Sequence, residues 1–296
     1  MSGLKHILCA GIVVLDRIYE VESLPQGEAK HTAFNYRESG GGIAGTASVA
    51  IARLGGRASY LGAVGDDTAG RWLISEMESL GVELGNLQII LNGRTPNACA
   101  FVAADGARCL VVDPGTAKPQ LSARPAKAVD AILVDHRFPD LSEALLTAAP
   151  SAIPTVLDAE GGKPEILRRL VARTHYPVFS AAGLRQCTGE DDPYTALRKI
   201  DAPSARALAV TCGAKGSLWL IEGTFHHVPA PYVTAIDTTG CGDVFHGALA
   251  LALAEGRMVL DAARFATAAA SLKARNGCGW RGMPDRAEVV ALMTSF

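Results

Sequence analysis

Apolar and polar positions along this chain follow two different rhythms. Residues 7–14 form a short continuous apolar run, the pattern of a central parallel strand covered on both faces. Segments 17–21 and 30–38 alternate polar and apolar residues around a Leu24-Pro25-Gln26-Gly27 turn and predict strands with one exposed face. An Ala-rich helix is predicted over 43–54, stopped by Gly55-Gly56, then a strand over 58–64 and a helix over 68–80 that stops at Gly81. Further strands are predicted over 87–91, 98–103 and 108–112, the last two joined at Asp105-Gly106, a hairpin signal. From about residue 128 the rhythm turns regular: strands over 131–134, 155–157, 178–180, 207–211 and 217–221, helices over 141–149 and 164–172, and two Ala-rich helices over 244–254 and 260–273. This alternation predicts an α/β fold with a doubly wound, mostly parallel sheet flanked by helices. Segments 17–38 and 87–112 break the rhythm and predict a small β-structure on one edge of a single domain spanning 1–296.

Composition narrows the class. The 296 residues suit one large domain, or a large and a small one. Hydrophobic residues at 49% and charged residues at 20% exclude a disordered chain. A formal net charge of −2 gives no excess to drive binding to nucleic acid or an anionic membrane. The seven cysteines are odd in number and form no C-x-x-C pair, which predicts reduced thiols and a cytoplasmic protein. The apolar run 7–15 ends at Asp16-Arg17 without a small-residue cleavage pattern, so it reads as a strand rather than a secretory leader. No apolar run approaches the length of a membrane span.

The chemistry concentrates near the C-terminus, in Asp237-Thr238-Thr239-Gly240-Cys241-Gly242-Asp243. A strand-like approach, 232–236, precedes it and a helix follows. Two glycines one residue apart let the backbone turn sharply, and the first amides of the following helix have no internal partners. With the helix dipole they form a cradle for phosphate. Asp243 falls in the first helical turn. Alone it reads as a helix cap; beside an anion cradle it reads as the base that takes a proton from an attacking hydroxyl, with the amides of Gly240, Cys241 and Gly242 stabilising the transferring charge. A second run, Gly40-Gly41-Gly42-Ile43-Ala44-Gly45, contains G-x-G-x-x-G. It follows a polar segment instead of the first buried strand, which argues against a dinucleotide site.

The D-T-T-G-C-G-D run resembles the second signature of the ribokinase-like (PfkB) carbohydrate kinases, usually D-T-x-G-A-G-D, with Cys241 in place of Ala. The glycine block at 40–42, then Ala52-Arg53-Leu54-Gly55 and Gly62-x-x-Gly65-Asp66-Asp67, resemble the first signature, and the likeness runs over essentially the whole chain. It implies an ATP-dependent sugar kinase whose small β-sheet is a lid. Asp16, placed by the resemblance at the end of the first strand, and Gly41 and Gly42 would hold the sugar. Thr46 stands where the family often has a sugar-binding Asn. Thr211, Gly213 and Gly216 match the T-x-G-x-x-G nucleotide loop, and 269–277, with Asn276, matches the segment bordering adenine. Ser180-Ala181-Ala182-Gly183 stands where the family has N-x-x-E, so Ser180 would face ATP while Mg²⁺ relies on water, phosphates and other carboxylates. Members often bind a K⁺-like ion near the anion hole, to which Asp237 and Thr239 correspond. The half-exposed lid strands imply a homodimer through the lid.

Several details are similar to the sulfofructose kinases within that family, and more distantly to ketohexokinases: the 40–46 block, Val134-Asp135-His136-Arg137, Val156-Leu157-Asp158 and the stretch from Asp243 to Ala250. Arg137, following a strand, and Lys30, on the lid, would meet a sulfonate, a phosphate or ring hydroxyls. The expected substrate is a ketohexose or 6-deoxy-6-sulfofructose. A kinase for ribose, a nucleoside or another small alcohol stays open, as does a non-catalytic sugar- or nucleotide-binding protein of the same fold. The degenerate N-x-x-E argues for the last, and the intact Gly240, Gly242 and Asp243 argue against it.

Overall fold

The first apolar run serves two sheets rather than one. In the computed structural model, which describes residues 3–105, 107–121 and 128–294, β1 (His6–Ala10) is wholly buried, and after Gly11 the chain crosses into β2 (Val14–Val21) of a different sheet. This corrects the single strand expected over 7–14. A Cβ at Gly11 would lie 1.9 Å from Asp135 Oδ2, so only glycine lets the chain bend past that carboxylate. Val13 and Leu15 remain buried through the crossing, which is why the sequence stays apolar across it.

The remaining elements are β3 (Asn35–Gly41), α1 (Ile43–Arg53), β4 (Arg57–Leu61), β5 (Ala63–Gly65), α2 (Thr68–Ser79), β6 (Val82–Glu83), β7 (Gln88–Ile90), β8 (Asn97–Ala103), β9 (Arg108–Asp113), β10 (Ala131–Asp135), α3 (Pro139–Ala148), β11 (Thr155–Ala159), α4 (Pro164–Val171), β12 (Tyr176–Ser180), α5 (Ala181–Thr188), α6 (Pro193–Arg198), β13 (Leu208–Thr211), β14 (Ser217–Ile221), β15 (Thr224–Val228), α7 (Cys241–Ala254), α8 (Val259–Asn276) and α9 (Arg286–Met293). Among the described residues, nine strands form the main sheet in the order β15-β14-β13-β12-β11-β10-β1-β4-β6. It is parallel from β13 to β6 and antiparallel only at the β13–β14–β15 edge. The period-two alternation of β1 divides the core: Ile7 and Cys9 pack on the face covered by α1, α7 and α8, Leu8 and Ala10 on the face covered by α3 to α6. The order reverses beside β1, between β10 and β4. Crevices beyond the carboxyl ends of strands at such a switch point receive ligands in open α/β sheets.

The small sheet has the order β3-β2-β8-β9. It is smaller than the segments 17–38 and 87–112 predicted. Residues 30–34 are loop, and β7 pairs with β5 in a separate two-stranded sheet. The hairpin at Asp105-Gly106 closes with the Ala103 amide donating to Ala107 O, with Gly106 outside the described residues. The strand-like approach 232–236 is not a strand: Tyr232 is 95% and Ile236 75% exposed, so neither is held by a sheet. No described helix is long and apolar enough to cross a membrane, and all seven cysteines are free.

Asp67 fixes where the small sheet joins the main layer. Its Oδ1 accepts from the Gly70 amide at 2.8 Å, capping α2, and from Thr95 Oγ1 at 2.6 Å, while Oδ2 accepts from the Thr95 amide at 2.8 Å, just before β8. Burial works against the charged carboxylate, but the Thr95 hydroxyl and amide and the Gly70 amide outweigh it and hold the group below its ordinary range. Such a group stabilises the fold above its unfolded pKa and loses that contribution as pH falls through its folded value. Asp67→Ala is expected to cost about 2 kcal/mol at neutral pH. The gap from wild type should narrow toward about pH 3 in denaturant titrations; a gap independent of pH contradicts this role.

Candidate active site

Helix α7 opens on Gly240, which adopts the left-handed conformation (φ 76°), and no side chain caps it. An L-residue there would be strained, and the N-terminus, with no side-chain cap, leaves its dipole available to an anion, although the Cys241 amide already donates to Thr238 O at 3.3 Å. A Cβ built on Gly242 meets nothing within 4 Å. The space over that residue is open, as a ligand-receiving loop requires.

Two cavities meet at this loop. A groove of about 470 Å³ is lined by Thr211, Gly213, Gly216, Tyr232, Cys241 and Gly242, with Phe245, Thr267 and Ser271 at its floor. A smaller pocket of about 60 Å³ lies under the small sheet, lined by Asp16, Arg37, Gly41, Asp243, Lys273 and Trp280. Gly240, Gly42, Thr46, Asp237 and Thr239 border the same pocket. Asp243 therefore faces the smaller cavity while Gly242, its neighbour, faces the larger. The predicted anion loop, Asp16, Gly41, Gly42 and Thr46 converge as expected, and so do Thr211, Gly213 and Gly216. Gly41 is dictated by its neighbour: a Cβ there would lie 2.1 Å from Asp16 Oδ2.

The electrostatics beneath the loop are unusual. Burial, together with the carboxylates of Asp158, Glu160 and Asp135, pushes Asp243 well above the ordinary carboxylate range, and His246 opposes them. Asp135 is fully buried and pushed up to about 7 by burial, although the Ile12 and Arg137 amides donate to it at 2.7 and 2.8 Å. His246 sits one turn after Asp243. Its Nδ1 lies 2.9 Å from Asp158 Oδ2 and 2.7 Å from Gly242 O, and its Nε2 3.2 Å from Val178 O. Both ring nitrogens thus face acceptors, an environment for the doubly protonated ring. Burial lowers its pKa, but Asp158 and the two carbonyls outweigh that and raise it to about 9. A fixed cation is thereby built into a floor of carboxylates. Under the small sheet, burial raises Asp16 to about 6, with Arg37 opposing.

Several expected site residues are placed differently. Asp16 lies on β2 of the small sheet, not at the end of a central strand, because the chain leaves the main sheet at Gly11. Thr46 is 3% exposed and its Oγ1 accepts from Trp280 Nε1 at 3.0 Å, so its hydroxyl braces the pocket wall. Ser180 caps α5, accepting from the Gly183 amide at 2.9 Å and donating to Glu160 O at 2.6 Å, and does not line the groove. Asn276 ends α8 and donates to Gly282 O at 3.3 Å, bracing the next loop instead of lining the larger groove. Arg137 is exposed after β10, and Lys30 is exposed in the loop joining β2 to β3; neither lines the small pocket.

Sequence reasoning missed Arg37, Lys273 and Trp280. Arg37 had a signal, since it alternates with Asn35 and Ser39 along the glycine-bearing strand; the other two looked like ordinary helix and loop residues. Asp237 and Thr239 do not suit a monovalent cation. Arg37 and Arg108 lie 3.7 and 3.6 Å from the Asp237 carboxylate, and Arg108 donates to Thr239 Oγ1 at 2.5 Å. Burial works against the charge on Asp237, but the Thr239 amide and hydroxyl, with Lys273 and Arg108, hold it below its ordinary range. These oxygens already face protein cations.

Gly242 separates stability from function. Within a helix, Gly242→Ala is expected to stabilise the fold by about 0.5–1 kcal/mol. The added methyl enters the open space over the loop and should lower phosphoryl transfer at least about tenfold. Thermal unfolding with steady-state rates checks both, and unimpaired transfer contradicts the assignment.

The comparisons agree with this geometry. The model of the pfkB family carbohydrate kinases matches residues 4–280. Bifunctional protein HldE of Hyphomonas neptunium is 32% identical over 299 residues, which cover 90% of this chain and 60% of that protein. Ribokinase of Bacillus subtilis is 26% identical over 300 residues, covering 98% of this chain and 100% of that one. Among solved structures, a candidate ribokinase from Agrobacterium tumefaciens superposes with a TM-score of 0.90 at 31% identity, covering 99% of this chain and 98% of that one. The chain belongs to the pfkB family of carbohydrate kinases and is an ATP-dependent phosphotransferase with a ribokinase-like fold.

Proposed function

We propose that this kinase moves the γ-phosphoryl group of ATP to a hydroxyl of a ketohexose or of 6-deoxy-6-sulfofructose. The carrying observation is that Asp243 borders the small pocket while Cys241 and Gly242 border the groove. In this reading ATP lies along Thr211, Gly213 and Gly216, and the sugar lies under the small sheet, a lid, against Asp16, Gly41 and Gly42. Asp243 accepts the proton of the attacking hydroxyl. Burial and the like charges around it push the Asp243 carboxylate upward, which strengthens it as a proton acceptor. The amides of Gly240, Cys241 and Gly242 hold the charge that develops on the transferring group.

Mg²⁺ bound to the ATP phosphates would neutralise their charge. Asp158 Oδ1, buried and without a hydrogen-bond partner, and Glu160 would hold its water. An anionic substituent on the sugar is favoured by Arg37 in the pocket wall. Free thiols fit a cytoplasmic enzyme. The lid also offers a dimer face: Leu110, Val111 and Val112 on the edge strand β9 are 60%, 61% and 54% exposed.

ATP consumption over a panel tests the substrate: 6-deoxy-6-sulfofructose, fructose, tagatose, fructose 6-phosphate, ribose and adenosine. Turnover confined to ribose or adenosine contradicts the proposed class. With the substrate found, Asp243→Asn should lose about 10²–10⁴-fold in turnover with nucleotide affinity kept; near-normal turnover removes the base. Asp16 must be ionised to accept sugar hydroxyls, so the acceptor KM should climb as pH falls through about 6. An acceptor KM flat across that range rules out Asp16 as the hydroxyl acceptor. Light scattering should give a dimer, and a monomer at working concentration contradicts pairing through the lid.

A further inference from the structure

Lys273 is hard to explain as a structural residue. It lies in the last turn of α8, is 1% exposed, and its Nζ has no hydrogen-bond partner. A cation near a helix C-terminus is favourable, but that interaction is available to an exposed side chain such as Arg275, without burying an ammonium. Burying a charge without a partner opposes folding. The side chain instead lines the small pocket beside Asp237, Thr239, Gly240 and Asp243. Its charge acts on Asp237, at the start of the anion loop, and on Cys241 within it. Arg37 and Arg108 reach Asp237 from the small sheet. The oxygens that the family resemblance offers to a monovalent cation thus face three cationic side chains of the chain itself.

We propose that the Lys273 ammonium is the built-in cation of the phosphoryl-receiving loop, replacing a monovalent ion beneath it, so that nucleotide binding and transfer do not depend on K⁺. The partner missing from Nζ is the added negative charge of the γ-phosphoryl group once it rests on the Gly240–Gly242 amides. This rests on the reading of that loop as the γ-phosphate site. ADP, which lacks the γ-phosphate, gains little from Lys273.

Calorimetric titration with a non-hydrolysable ATP analogue and with ADP tests this without knowledge of the sugar. Each is measured in KCl and in tetramethylammonium chloride at equal ionic strength. Wild type should bind the analogue equally in both salts. Lys273→Met, which keeps the length and apolar stem, should bind the analogue about tenfold more weakly and ADP within about twofold. It should also melt at a higher temperature than wild type, because an unpartnered buried charge has been removed. Analogue affinity in wild type that rises severalfold with K⁺ overturns the proposal. So does Lys273→Met with unchanged analogue affinity, or one that melts lower and weakens both nucleotides alike, which marks a structural residue. Failure of wild type to bind either nucleotide would overturn the γ-phosphate reading itself.

Discussion

The buried carboxylate of Asp135 is the constraint on which the site is built. It ends β10 with no solvent exposure and accepts from three backbone amides: Ile12 at 2.7 Å, Arg137 at 2.8 Å and Ala44 at 3.4 Å. Those amides belong to the chain leaving β1, the chain leaving β10 and the first turn of α1. One side chain therefore sets where the main sheet releases the strand that carries Asp16, and where the glycine block turns into a helix. Gly11 is glycine because that carboxylate occupies the space a Cβ would need.

Around it the molecule segregates charge. Asp135, Asp158, Glu160 and Asp243 crowd the ends of β10 and β11 and the start of α7, with His246 as the embedded cation. Arg37, Arg108 and Lys273 stand on the opposite side, around Asp237. The carboxylates raise the basicity of Asp243, and the cations favour an anionic group beside it. Cys241 does not compete as a nucleophile: burial pushes its thiol up to about 11, so it stays protonated near neutral pH.

The fold was largely legible because the strand and helix periods are clean after about residue 128. The alternation of Ile7 and Cys9 with Leu8 and Ala10 also reports a sheet covered on both faces. The early boundaries were not legible. Burial of Val13 and Leu15 continues across a change of sheet, and an apolar run records burial but not which sheet buries it. That Thr211, Gly213 and Gly216 border one groove with Cys241 and Gly242 was anticipated because each glycine run is local in sequence. Ser180 and Asn276 face elsewhere than expected because matching position does not specify direction, and both side chains bond to nearby backbone. Arg37, Lys273 and Trp280 enter the site only through the packing of α8 against α7 and of the loop after α8 against β3 and α1, contacts between segments distant in sequence that no local pattern encodes.

The central claim is a single direct transfer between the two cavities across the Gly240–Gly242 loop. Its most direct measurement is the stereochemical course at phosphorus, using ATP made chiral at the γ-position by oxygen isotopes and the sugar that supports turnover. One in-line displacement predicts inversion of configuration. Net retention would require a phosphoenzyme and two displacements, and would contradict the account of Asp243 acting on the sugar hydroxyl.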